Sequence, residues 1–353
     1  MKKIKGRGHS LLSAIEVLSI LSAFLLFLMT FLFSLATAFL FSCTKTPDKE
    51  EEILGSISLE SKGNIIVNHG ALDIFIYNLD KLGRLDSHSR QEFSGAFPLS
   101  VETGSRAGMK RVIVLANWPE EELNDWSRIS ALENILLLRA ELEKDNPSRP
   151  IMTGSATFKA ELANYTAVSM QALSAKIKIA SVCCDFSGKS YAGQTMKNAR
   201  VYLTNVCVST TVSPDDCPGY SYVNIGGLSQ GDMDSFKTPE YLMRNITEDI
   251  GHNKIITDIS LFCYPTGNYE ESAGRPQTKL VLEGDIGGRK YYYPIRLCDF
   301  INGPVKRETI YQIDLRITKL GGDDPDLPVS SDTFEATVQV LPWEDTAEQK
   351  IDF

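Results

Sequence analysis

From residue 53 onward the apolar residues fall mostly at every second position, or in runs of four or five, between clusters of Gly, Pro, Asn and Asp. That is the pattern of strands. ILGSISL (53–59) predicts a short first strand. IIVNHGALDIFIYNLDKLGRL (65–85) predicts one or two more, with Leu72, Ile74 and Ile76 alternating against Asp73, Phe75 and Tyr77 before LDKLGRL turns the chain. RVIVLANWP (111–119) is too apolar to leave either face in water, and Pro119 stops it. One segment changes period. In EEELNDWSRISALENILLLRAELEKD (120–145), Leu132, Ile135, Leu136 and Leu138 give a helical stripe opened by acidic residues and closed by Pro147 and Pro150. IMTGSATFKAEL (151–162) returns to extended chain, and LSAKIKIASV (173–182) alternates strictly enough to start a second sheet. KNARVYLTNVCV, TKLVLEGDIGGRKYYYPIRL, IYQIDLRITKL and TFEATVQVLPW then predict strands, with GDIGG as a hairpin turn and GGDDPDLPVSSD as a loop.

Length fits two such bodies: 353 residues are long for one domain. The 45 acidic against 36 basic residues, net −9, carry no basic stripe and argue against a nucleic-acid backbone as partner.

The first 42 residues read as a signal sequence, with four Lys or Arg in MKKIKGRGHS ahead of an apolar run. LFSC (40–43) resembles a bacterial lipobox, which makes Cys43 the expected lipid attachment site and residues 43–53 a charged tether. The apolar run approaches the ~20 residues that span a bilayer, so an uncleaved membrane anchor is the competing expectation. Either way the rest is exported.

No chemistry stands out. Walker, HExxH and GxGxxG patterns are missing, the histidines His69, His88 and His252 lie apart among turn residues, and the six cysteines beyond Cys43 include no CxxC pair. Those cysteines fit either disulfides in an exported chain or buried thiols, and adjacent Cys183 and Cys184 point to opposite faces of any strand. The Asp residues of GGDDPDLPV lack the spacing of a calcium loop. The sequence therefore predicts no catalytic residue, no metal, no cofactor and no enzyme.

The lipobox Cys, RVIVLANWP, a helix, IMTGSATF, AKIKI, YYYPIRL, KRETIYQIDLRIT, GGDDPDLPV and a terminal VQVLPW occur in an order that resembles the fimbrillins of type V pili. The resemblance runs from residue 43 to 353. It implies a mainly β protein of two tandem transthyretin-like β-sandwich domains, 54–168 with the helical insertion and 169–353. It also implies export as an outer-membrane lipoprotein, proteolytic loss of the first strand, and polymerisation on the cell surface with copies of itself and other pilus subunits by strand exchange. An extended tail can complete a sandwich that lacks a strand, so Val338, Val340 and Trp343, with Ile351 and Phe353 beyond, are the expected donor anchors. Members of the family are cut after an Arg between the first two strands. No Arg stands between Cys43 and Gly83, and Lys62 in LESKGN takes that place, with Arg84 and Arg90 as alternatives. An anchor or tip subunit of the same pilus, and a surface glycan-binding lipoprotein, are the rival expectations. The expected mark of the second is an exposed aromatic platform, for which only Trp118, Trp126 and Tyr291, Tyr292 and Tyr293 offer themselves.

Overall fold

The computed structural model describes residues 53–61, 66–96, 98–161, 165–213, 222–223, 240–266, 277–301 and 303–343, with Ser22 and Met29 besides. Residues 52–353 form one compact unit. Among the described residues no helix is long and apolar enough to cross a membrane.

The first half is one seven-stranded sheet. In chain order its strands are β1 (Ile53–Ser61), β2 (Ile66–Asn78), β3 (Arg84–Ala96), β4 (Leu99–Ser105), β5 (Gly108–Ala116), β7 (Met152–Ala160) and β8 (Tyr165–Ala172); in space they run β3-β2-β5-β7-β8-β1-β4. The sheet rolls over until its two edges meet. Ser87 of β3 donates to the Gly104 carbonyl of β4 at 2.6 Å, and Gln91 to that of Glu102 at 3.0 Å. Inside the roll lie Ile57, Leu59, Leu72, Ile74, Ile76, Val112, Val114, Met152, Val168 and Met170, all essentially without solvent contact. The alternation in β2 and the apolar run in β5 thus have separate outcomes. Even positions of β2 fill the roll, whereas Phe75, Tyr77, Ile113 and Leu115 on the outer face pack under the helical insertion. That second cover is why 111–115 had no polar alternation.

The insertion departs from expectation. Instead of one helix it holds three short ones, α1 (Glu120–Leu123), α2 (Trp126–Ile129) and α3 (Leu132–Leu136). Asp125 caps α2 by accepting from Ser127 N, at 3.0 Å. Between α2 and α3 the backbone is drawn out to pair with the β2–β3 turn, Leu85 N on Ser130 O and Leu132 N on Gly83 O. Leu138, expected on the helical stripe, lies past the last helix and just ahead of β6 (Arg139–Glu141). Tertiary pairing has overridden a helical period.

The second half is a sandwich of two four-stranded sheets. One has the order β14 (Met243–Asn245), β10 (Met196–Thr204), β16 (Lys279–Ile286), β17 (Arg289–Arg296); the other β15 (Ile255–Cys263), β9 (Ala175–Cys184), β18 (Thr309–Ile317), β19 (Phe334–Pro342). Ile177, Ile179, Val201, Leu203, Leu280, Leu282, Ile313 and Leu315 fill the space between them. Short strands complete the count: β11 (Val206–Cys207) pairs β13 (Tyr222–Val223), and β12 (Ser209–Thr211) pairs β6 of the insertion, tying the halves together. A last short helix, α4 (Leu297–Ile301), follows β17. Gly287 and Gly288 both adopt positive φ in the β16–β17 hairpin that GDIGG predicts. A boundary between residues 168 and 169 would cut β8; the chain changes sheet between Ala172 and Ala175.

Two buried charges of the first half are paired. The Lys110 ammonium, fully buried, donates to the Asp86 carboxylate at 2.8 Å and to Asn78. Asp73, equally buried, takes Arg90 at 3.0 Å and His88 at 3.1 Å. His88 therefore sits in strand β3, stacked 4.3 Å from Phe75, rather than in a turn. The loop after β18 uses its acids internally: Asp323 pairs Arg289 at 2.7 Å and Asp326 pairs Lys279 at 2.6 Å. Cys184 is buried and Cys183 half-buried, as opposite faces require. Burial pushes the Cys184 and Cys263 thiols up to about 12, which leaves them unreactive.

Candidate assembly site

The strand that closes the first half is β1. Its two neighbours are contributed by chain far downstream, antiparallel β4 (Ile57 opposite Val101, Leu59 opposite Leu99) and parallel β8 (Ile57 opposite Thr166, Leu59 opposite Val168). Ile57 and Leu59 are 2% and 0% exposed, because odd positions of the strand face the roll while Ser56 and Glu60 face out or along the rim. Burying each of two such side chains is worth roughly 1.5–3 kcal/mol. This is the one parallel ladder in the sheet.

What holds β8 is mostly β1. The β1–β8 ladder runs for six residue pairs, from Ser56 with Tyr165 to Ser61 with Met170, whereas β7 pairs β8 over only three, Met152 to Gly154. At Gly154 a side chain would meet Met170 Sδ, Val168 Cγ1 and the Ser169 carbonyl within 2.7–2.8 Å, so glycine is what lets β8 cross so close before the strands part. Taking β1 away would leave two open strand edges and an apolar slot between them.

At the other end of the chain, β19 is an edge strand, paired to β18 over nine residues from Phe334 with Ile317 to Pro342 with Thr309. Phe334, Ala336 and Val338 turn toward the sandwich core. Val340 and Leu341 are left 56% and 37% exposed. Trp343 is 6% exposed: it leaves the strand and enters the core of the rolled sheet, with Ile310 beside it and its ring 5.9 Å from that of Phe262.

The expected site residues thus divide. Val338 and Val340 lie in an intrachain ladder and Trp343 in an intrachain core; for another chain to receive them β19 would have to leave β18 and Trp343 leave Phe262. Cys43, Lys62, Ile351 and Phe353 lie outside the described residues. Sequence reasoning missed Phe262 and Ile310 as partners of Trp343, since nothing local links positions so far apart. Of the aromatic candidates, Trp118 and Tyr293 are buried and Trp126 stands 65% exposed.

No family model and no curated protein matches the sequence. Solved structures do. A candidate cell adhesion protein from Bacteroides eggerthii superposes with a TM-score of 0.63 at 18% identity, over 83% of this chain and 96% of its own. A fimbrilin from Porphyromonas gingivalis W83 gives 0.60 at 16% identity, over 82% and 97%. This chain has the fimbrilin fold. The tip fimbrial protein Mfa3 from Porphyromonas gingivalis, with a C-terminal truncation, shares that fold at a TM-score of 0.50 and 11% identity, over 83% of this chain. Within the fimbrilin fold of this chain, the first described strand lies inside its sheet, one place from the edge, and the last described strand is at an edge.

Proposed function

We propose that this chain is a non-enzymatic structural subunit of a surface fimbria, and that it polymerises by passing strands between subunits. It is exported as a lipoprotein on Cys43, held at the outer membrane, and cut after Lys62. The cut removes the lipid and β1 together and opens the slot between β4 and β8. The tail of a neighbour fills that slot. Its donor is the segment running on from β19: Val338, Val340 and Trp343 form the stem, kept by their own subunit, and Ile351 and Phe353 are the anchors delivered to the next one. Donor and slot are different surfaces, so the contact repeats without closing and produces a filament.

The observation that supports this most directly is the position of β1: a strand near the N-terminus, seated between β4 and β8, that holds β8 by twice as many pairs as β7 does. The experiment is N-terminal sequencing of subunits recovered from surface material, paired with a truncation after Trp343. A start at Gly63, with a truncated subunit that folds and forms no fibres, is the expected result. A start at Leu85, an intact Cys43 terminus, or fibres from the truncated chain would overturn it.

A further inference from the structure

A polar cleft of about 500 Å³ opens on the second half of the molecule, far in sequence from β1 and β19, where β10, β14 and β16 meet. Its floor is built by a break in the β10–β16 ladder: the register shifts between Lys197 and Arg200, and Asn198 sits there with φ of 48°. The following segment is clamped onto the break by backbone bonds, Ile246 N to Ala199 O at 2.8 Å and a reciprocal pair between Ile250 and Met196 at 2.9 Å. Gly284 on β16 admits this close approach, since a side chain there would strike Met196 and the Lys197 carbonyl. The cleft is therefore preformed.

Its polar groups are planar and held in orientation. Asn198 Nδ2 donates to Asp285 Oδ2 at 2.9 Å, which fixes both groups and leaves Asn198 Oδ1 and Asp285 Oδ1 for a ligand. On the floor the buried Glu283 carboxylate takes Arg200 Nε at 2.6 Å, with the Lys290 ammonium 3.7 Å away. On the rim, exposed Asn245 and Thr247 make no side-chain hydrogen bond among the described residues, and exposed Asp249 beside them pairs the Lys197 ammonium at 3.8 Å. The walls thus offer carboxylate acceptors, amide donors and acceptors, and a hydroxyl, with little apolar surface.

Charge narrows the ligand. Asp249, Glu283 and Asp285 face Arg200 and Lys290, so opposite signs nearly cancel. A phosphate would meet three carboxylates, and a polycation two bases. What matches is a neutral molecule in which every polar group both donates and accepts, because adjacent hydroxyls can bridge a carboxylate oxygen and an amide at once. The volume lies within the range of small-ligand sites. We infer that the cleft floored by Asn198, Glu283 and Asp285 binds a neutral sugar, of one or two rings. This does not depend on how the subunits assemble.

The test is saturation-transfer NMR on the purified chain with maltose, cellobiose, lactose and their monosaccharides, and with N-acetylneuraminic acid and calcium chloride as the charged alternatives. At least one neutral sugar should receive saturation. The exposed variant Asn245→Ala and the cleft variant Asp285→Ala should each weaken that sugar's binding about tenfold while the melting temperature holds, and Trp126→Ala on the first half should leave it unchanged. Failure of every neutral sugar, binding of the acidic sugar alone, a response to calcium alone, or binding lost in Trp126→Ala and retained in both cleft variants would overturn the inference.

Discussion

Trp343 and Phe262 stand with ring centroids 5.9 Å apart and planes tilted by 47°, joining the end of the last described strand to a strand of the same sheet three ladders away. Trp343 also reaches the core of the rolled first half. Trp343→Ala should therefore lower the stability of the isolated monomer, by about 3–5 kcal/mol for a buried aromatic. Denaturant unfolding of the purified chain measures it; a monomer as stable as the parent would place Trp343 outside the core.

Leu59→Ala should destabilise the precursor. Leu59 is fully buried between β4 and β8, and such truncations cost about 2–5 kcal/mol. Denaturant unfolding of the full-length variant and its parent measures this, and a variant as stable as the parent would contradict the burial of Leu59 between β4 and β8.

These residues also mark how far the sequence can be read. Strands β1, β5, β7, β9, β16, β17, β18 and β19 were legible because their alternation and turn residues are local properties, as was the GDIGG hairpin. The three-part insertion was not, because α2 and α3 are separated by backbone bonds to Gly83 and Leu85, more than a full strand upstream. The same holds for the stem of the tail. Alternation showed that 338–343 is extended but could not say whose core would take Trp343. The polar cleft gave no signal at all: Asn198, Asn245, Glu283 and Asp285 come together only through a register shift.

Lys110→Met should be among the most damaging single changes. It leaves the Asp86 carboxylate, 1% exposed, without its ammonium, and breaking a buried pair from one side costs about 3–5 kcal/mol. Replacing Asp86 with Asn in the same chain should recover part of the loss, because no charge is then left behind. Thermal unfolding of the single and double variants is the measurement, and a double variant worse than Lys110→Met alone would refute the pairing.

Asp145, 8% exposed, accepts from Ile151 N at 2.8 Å, and burial raises its carboxyl from 3.8 to about 6. A carboxyl that holds its proton more tightly when folded contributes stability at low pH. That contribution is present below about 4 and is lost as pH climbs through about 6, to the extent of about 3 kcal/mol. Asp145→Asn, which keeps an acceptor for Ile151 N, should flatten this slope and unfold later than the parent at pH 7. Urea midpoints between pH 4 and pH 7 will show it; a parent slope of the opposite sign would exclude Asp145 as the source.

Both halves are closed by a parallel ladder between distant parts of the chain, β1 with β8 and β9 with β18. For a polypeptide emerging from its N-terminus this sets a schedule. β1 is among the first segments made, yet it has nowhere to settle until β4 and then β8 have followed it out. Ladders of such long sequence separation form slowly, and their edges stay sticky in the interval. Within the first half, a strand made early is thus seated late, and the period in which it waits is when the chain most needs keeping apart from its neighbours.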